Sequence, residues 1–172
     1  EALAAAIATP AGDTIVLGAG QYTVTRGELS VVGEVSIDGA GAGATRIVGS
    51  GAFDLLQVTP LGALVLDGVA LSSQGIAVDV DSATATLRGV RIAAGGGLVT
   101  AGADSGPANL RIEHSELGDA SGCNCGAGSF RAFDSTLNAV LMFDGSSDLE
   151  LDHVDVVGPS QPYGVAFSSA GS

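Results

Sequence analysis

One pattern recurs six times along this chain and restricts what it can fold into. Apolar residues alternate with polar ones, pass through a single turn position, and then resume alternating. The copies are VSIDGAG (35–41), LVLDGVAL (64–71), TLRGVRI (86–92), LRIEHSEL (110–117), RAFDSTL (131–137) and LELDHVDV (149–156). Aligned on the turn, that position is Gly39, Gly68, Gly89, His114, Asp134 and His153, giving spacings of 29, 21, 25, 20 and 19 residues. Self-similarity at this period marks a solenoid, in which each repeat buries its apolar face only by stacking on its neighbours.

The turn residues supply the physics. Gly, Asp and His enter the left-handed backbone region at tolerable cost, and one such residue between two extended segments bends a strand without a loop. A second apolar run precedes most copies: FDLLQV (53–58), GIAVDV (75–80), GLVTA (97–101) and AVLMF (139–143), with YGVAF (163–167) starting the same element again. One coil is therefore a strand, a variable turn, a second strand, the one-residue bend, a third strand and a further turn. The alternation aligns Leu66, Leu87, Ile112 and Leu151 in one apolar column before the bend, and Leu71, Ile92, Leu117, Leu137 and Val156 in another after it. Burial of each such side chain contributes about 1.5–3 kcal/mol. Ser115 and Ser135 occupy the inward position directly after the bend, where Val69, Val90 and Val154 stand in other coils, so the serines are expected to hydrogen-bond each other within the core.

These repeats resemble those of the right-handed parallel β-helices of the pectate-lyase-like superfamily. That group includes polysaccharide lyases, pectin hydrolases, uronan epimerases, phage tailspikes and surface proteins without known catalysis. The front of the chain, ALAAAIATPAGDTIVLGAGQYTV (2–24), is similar to the first segment of many members: a short Ala-rich capping helix, a Pro/Gly/Asp turn and the first strands. The resemblance covers essentially all 172 residues and implies an all-β solenoid of about six coils with that capping helix. It is specific for fold and says little about function. The expected organisation is a single β-helix domain over 1–172, with cap and first strands in 1–24 and coils in 25–172, excised from a longer polypeptide.

Composition agrees. One domain is the default at this length, and 27 glycines with only 4% aromatic residues suit tight turns around thin aliphatic columns. No apolar run reaches the 18 residues of a membrane-spanning helix. The open end of a solenoid presents unpaired backbone groups, so end-to-end self-association is one expected partner mode.

Charge narrows the function classes. Nineteen acidic residues face six arginines and no lysine, for a net charge of −13. Nucleic acid is excluded as a partner, because phosphate binding needs cations. Catalysts of the resembling family act on polyanionic uronans with Lys or Arg beside carboxylates, and an acidic surface repels such substrates unless calcium bridges the two. The resemblance places family active sites on the first strand stack, whose non-core positions here are Gln57, Asp79, Thr100 and Met142. No Lys/Arg with paired Asp, no clustered Asp with Gly-His-Gly and no Asp-Pro-His occurs there, so the balance leans against an enzyme. Arg88, Arg111 and Arg131 instead fall near the bend in three successive coils, and Arg91 follows it.

The candidate sites are few. Gln57, Asp79 and Asp81 are candidate ligand-binding residues, the two aspartates being outward-facing at the end of VDVDS (78–82). Asp148, Glu150, Asp152 and Asp155 repeat that acidic alternation, and such carboxylates hold calcium weakly or simply keep an edge soluble. The bend column His114, Asp134, His153 is a candidate metal site or proton relay, since coils lie about 4.8 Å apart. The competing account is that these residues occupy the bend because they tolerate its backbone. Cys123 and Cys125, in the Gly-rich stretch SGCNCGAGS (121–129), read as a turn with a candidate strained disulfide or two thiols that bond between molecules. No cofactor other than calcium is implied. The expectation is a non-catalytic extracellular or cell-surface module, a rigid surface or glycan-binding element contacting polysaccharide or other surface components. The rivals are a fragment of a polysaccharide lyase, hydrolase or epimerase, and a structural stalk or filament subunit.

Overall fold

The computed structural model describes residues 12–94, 97–101, 106–118, 123–125, 128–138, 141–144, 147–157 and 165–168, with side chains described for 12–93, 106–118, 128–138 and 148–157. Every regular element in them is a strand, and the strands form three parallel seven-stranded sheets. Sheet A stacks Asp13–Leu17, Glu34–Gly39, Ala63–Asp67, Thr84–Arg88, Ala108–Glu113, Gly128–Phe133 and Ser147–Asp152 in chain order. Sheet B stacks Gly20–Val24, Thr45–Gly49, Ala70–Ser73, Arg91–Ala94, Glu116–Gly118, Thr136–Leu137 and Asp155–Val156. Sheet C stacks Leu29–Val31, Leu56–Val58, Ile76–Val80, Gly97–Ala101, Cys123–Cys125, Leu141–Asp144 and Val165–Ser168. The chain visits A, B and C in turn, which is a parallel β-solenoid. The number of coils differs slightly from the six expected. The capping helix expected at the front falls in 1–11, outside the described residues. Among the described residues no helix is long and apolar enough to cross a membrane.

Register converts the alternation into columns. Leu66, Leu87, Ile112, Ala132 and Leu151 follow one another across sheet A, and the first four are fully buried. Leu71, Ile92, Leu117 and Leu137 do the same across sheet B, ending on the half-buried Val156. Both apolar columns expected from the repeats are therefore present, with Ala132 filling the step that the alignment left open. Leu151 is 36% exposed.

At the bend, Gly68, Gly89, His114, Asp134 and His153 all take the left-handed backbone, with φ of 62°, 54°, 49°, 46° and 51°. Their N–H groups keep the ladder continuous: Gly89 N–H donates to Glu113 O, His114 N–H to Phe133 O and Asp134 N–H to Asp152 O, at 3.0–3.1 Å. Gly39 departs from the alignment. It ends a straight strand without a left-handed φ, and the turn is made by residues 40–44, with Gly41 at φ 108°. A side chain at Gly39 would meet Gly68 O and Val69 Cγ1, each 2.5 Å from its Cβ, so close packing of coils explains that glycine.

The two core serines repair the ladder just past the bend. Ser115 Oγ accepts from Val90 N–H at 3.0 Å and Ser135 Oγ from Ser115 N–H at 3.1 Å, while each hydroxyl donates to the carbonyl two residues back at 2.7 Å. Both side chains are buried. The two serines are thus bonded to each other, but through Ser115 N–H and Ser135 Oγ; their hydroxyls otherwise serve the backbone, and no hydroxyl-to-hydroxyl bond is seen among the described residues. Ser115→Ala would leave the buried Val90 N–H without its acceptor. It should cost about 1–2 kcal/mol in denaturant unfolding and speed hydrogen exchange at that amide.

Candidate functional site

The outward row of sheet C carries the first candidate. Ser30, Gln57 and Asp79 stand opposite one another in register. Each is half-buried and flanked by buried residues, so alternation turns all three to the outer face. Thr100, Asn124 and Met142 hold the next positions of the same register. The sheet therefore aligns a hydroxyl, an amide and a carboxylate at steps of about 4.8 Å. Asp81 lies past the strand, half-buried, its N–H bonded to Val58 O at 2.9 Å.

The bend column is divided. His114 Nε2 lies 3.6 Å from Asp134 Oδ2, whereas His153 Nδ1 lies 2.9 Å from Oδ1 of Asp152, the residue just before it. All four side chains are more than half exposed, and no group of three or more His, Cys, Asp or Glu able to hold a metal occurs among the described residues. The left-handed backbone at all three bend residues accounts for their identity. Cys123 and Cys125 lie in a strand of sheet C, in register with Val99 and Ala101, so a turn expected there is a strand instead. Flanking glycines masked a segment with only three paired residues. The disulfide proposed for them concerns side chains outside those described.

Sequence reasoning missed the ion pairs that link successive coils on sheets A and B. Glu113 accepts from Arg88 Nε at 2.8 Å and from Arg111 on its other oxygen, and Arg111 lies over the Phe133 ring, 4.4 Å from its centre. Arg91 pairs with Glu116 at 2.8 Å and Arg131 with Glu150 at 3.5 Å. The signal was in the bend alignment: Arg88 and Glu113 both stand one residue before the bend, and Arg91 and Glu116 both two after it, in successive coils. Arg88, Arg91, Arg111 and Arg131 are thereby engaged within the molecule. Asp148, Glu150, Asp152 and Asp155 are exposed, as alternation required.

Hydrogen bonds from Arg88 and then Arg111 lower the Glu113 carboxyl pKa from its ordinary value of 4.5, against a smaller opposing effect of burial. A lowered folded-state pKa means that this stabilisation is complete above the unfolded value and fades as pH falls through the folded one. Glu113→Gln should cost about 1 kcal/mol at pH 7, the two arginine side chains being about half exposed. The gap between parent and variant should close in acid, as followed by urea unfolding across a pH series.

Comparisons with protein-family models, with curated proteins and with solved structures return no match for this chain.

Proposed function

We propose that this chain is a non-catalytic extracellular β-helix module of the pectate-lyase-like kind, a rigid surface that binds neutral or calcium-bridged glycans. The observation that supports the reading is the outward row Ser30, Gln57, Asp79 on sheet C. Hydroxyl, amide and carboxylate groups are the donors and acceptors that sugar hydroxyls require. A solenoid repeats them along a flat face, which favours weak contacts made many times over. The strands of Gln57 and Asp79 are paired on both sides, and that of Ser30 on one, so the row is held rigid and little ordering entropy is lost on binding. The extracellular assignment rests on the family resemblance and the acidic, lysine-free composition.

The test is affinity electrophoresis through gels holding neutral or acidic polysaccharides, with and without calcium, alongside an assay for chain cleavage. Retardation without cleavage, lost in a Gln57→Ala, Asp79→Ala double variant that keeps the parent melting temperature, is the expected result. Cleavage of any polysaccharide would overturn the reading in favour of a lyase or hydrolase, and absence of both effects would overturn it in favour of a stalk.

A further inference from the structure

The outer face of sheet B carries a site of different character. Its first outward row runs Gln21, Arg46, Ala70, Arg91, Glu116, Thr136, Asp155, one residue per coil. Its second runs Thr23, Val48, Ser72, Ala93, Gly118. From Gln21 to Ala93 these rows contain two arginines and no carboxylate, in a chain where acids outnumber arginines nineteen to six.

Arg46 and Arg91 stand two coils apart, about 10 Å between backbones, with Ala70 between them. The 40–44 loop, which replaces the one-residue bend in this coil, rises beside the row. Together they enclose a groove of about 300 Å³ whose lining includes Ala42, Arg46, Ala70, Leu71, Arg91 and Ala93. Among the described residues no acidic side chain lines it. That volume is at the low end for small-molecule sites.

The two cations differ in availability. Arg46 is exposed and makes no ion pair among the described residues. Arg91 gives its Nε–H to Glu116, the first acid along the row. Both partners of that bond are more than half exposed, so it is weak and open to competition. The other guanidinium N–H groups of Arg91 remain as donors in a planar fork suited to carboxylate.

We propose that this groove binds a small organic dianion: two carboxylates joined by a short apolar spacer, one on Arg46, the other on Arg91, with the spacer over Ala70. The two cations set the charge and spacing of the ligand, and the alanine floor sets its apolar middle. A ligand with one carboxylate engages only one end. Glu116 competes with the second carboxylate for Arg91 and so limits affinity. The site is separate from the sheet C row and does not depend on glycan binding there.

Isothermal titration calorimetry of the whole chain, at low ionic strength, with straight-chain α,ω-dicarboxylates of four to nine carbons and monocarboxylates of matching length tests the assignment. The expected result is at least tenfold tighter binding of one intermediate dicarboxylate than of its monocarboxylate. Arg46→Gln and Arg91→Gln should each abolish that preference, and Glu116→Gln should raise dicarboxylate affinity several-fold. All three positions are exposed, so unchanged melting temperatures are expected and serve as the folding control. Equal affinity for mono- and dicarboxylates, indifference to either arginine variant, or absence of binding would overturn the proposal.

Discussion

Leu117→Asp is expected to unfold the domain or drive it to aggregate. Leu117 is 1% exposed and stands between Ile92 and Leu137 in the sheet B column. An aspartate there removes a buried leucine, worth about 1.5–3 kcal/mol. It also places a carboxylate among aliphatic side chains without a partner, at a further cost of about 3–5 kcal/mol. The sum rivals the whole stability of a typical domain. Asp81→Ala is the control, because its half-buried side chain makes no hydrogen bond or ion pair among the described residues. Its melting temperature should match the parent. Equal thermal shifts for the two variants would rule out stabilisation by columns.

Gly128→Ala carries the second large effect. Gly128 has φ 133°, a region that side chains rarely adopt, and opens a sheet A strand directly opposite Ala108. A Cβ there would collide with the Ala108 carbonyl oxygen and lie 2.7 Å from its nitrogen. The obstacle is backbone inside a parallel ladder and cannot rotate aside. Backbone strain and overpacking together should cost about 3 kcal/mol or more. Gly89→Ala offers the contrast: its φ is 54°, but the nearest atom to a new Cβ is 3.9 Å away. The left-handed backbone alone should then cost about 1 kcal/mol. Urea unfolding of the two variants side by side measures the difference, and equal losses would mean that coil contact at Gly128 is looser than described.

The parts of this fold that were legible in the sequence are those that repeat. Alternation around the bend located both apolar columns, and the choice of Gly, His and Asp revealed the left-handed position in five coils. Features outside the repeat were hidden. Gly39 matched the bend by alignment, yet its coil turns through the 40–44 loop, since the 29 residues to the next bend leave room for one. Cys123–Cys125 lacks apolar neighbours of its own and becomes a strand only because sheet C supplies partners on both sides.

Side-chain chemistry between coils was less legible, because it depends on register across turns of unequal length. Glu113 reaches Arg88 across 25 residues. His153 illustrates the opposite limit: alignment set it above Asp134, but Asp152, its chain neighbour, is nearer. The groove on sheet B escaped notice for the same reason as Gly39. Arg46 belongs to the coil whose bend is replaced by a loop, so no repeat alignment brought it beside Arg91.

The solenoid itself is the claim on which the columns, the polar row and the groove all stand, and it fixes distances along one axis. Gln21, Arg91, Glu116 and Asp155 are exposed and occupy one register row of sheet B. Spin labels at Gln21 and at each of the other three, with Cys123 and Cys125 replaced by serine, would span three, four and six coil steps. Pulsed electron-electron resonance should report backbone separations rising linearly, about 14, 19 and 29 Å. A plateau, or a Gln21–Asp155 distance shorter than Gln21–Arg91, would contradict the stacked-coil architecture.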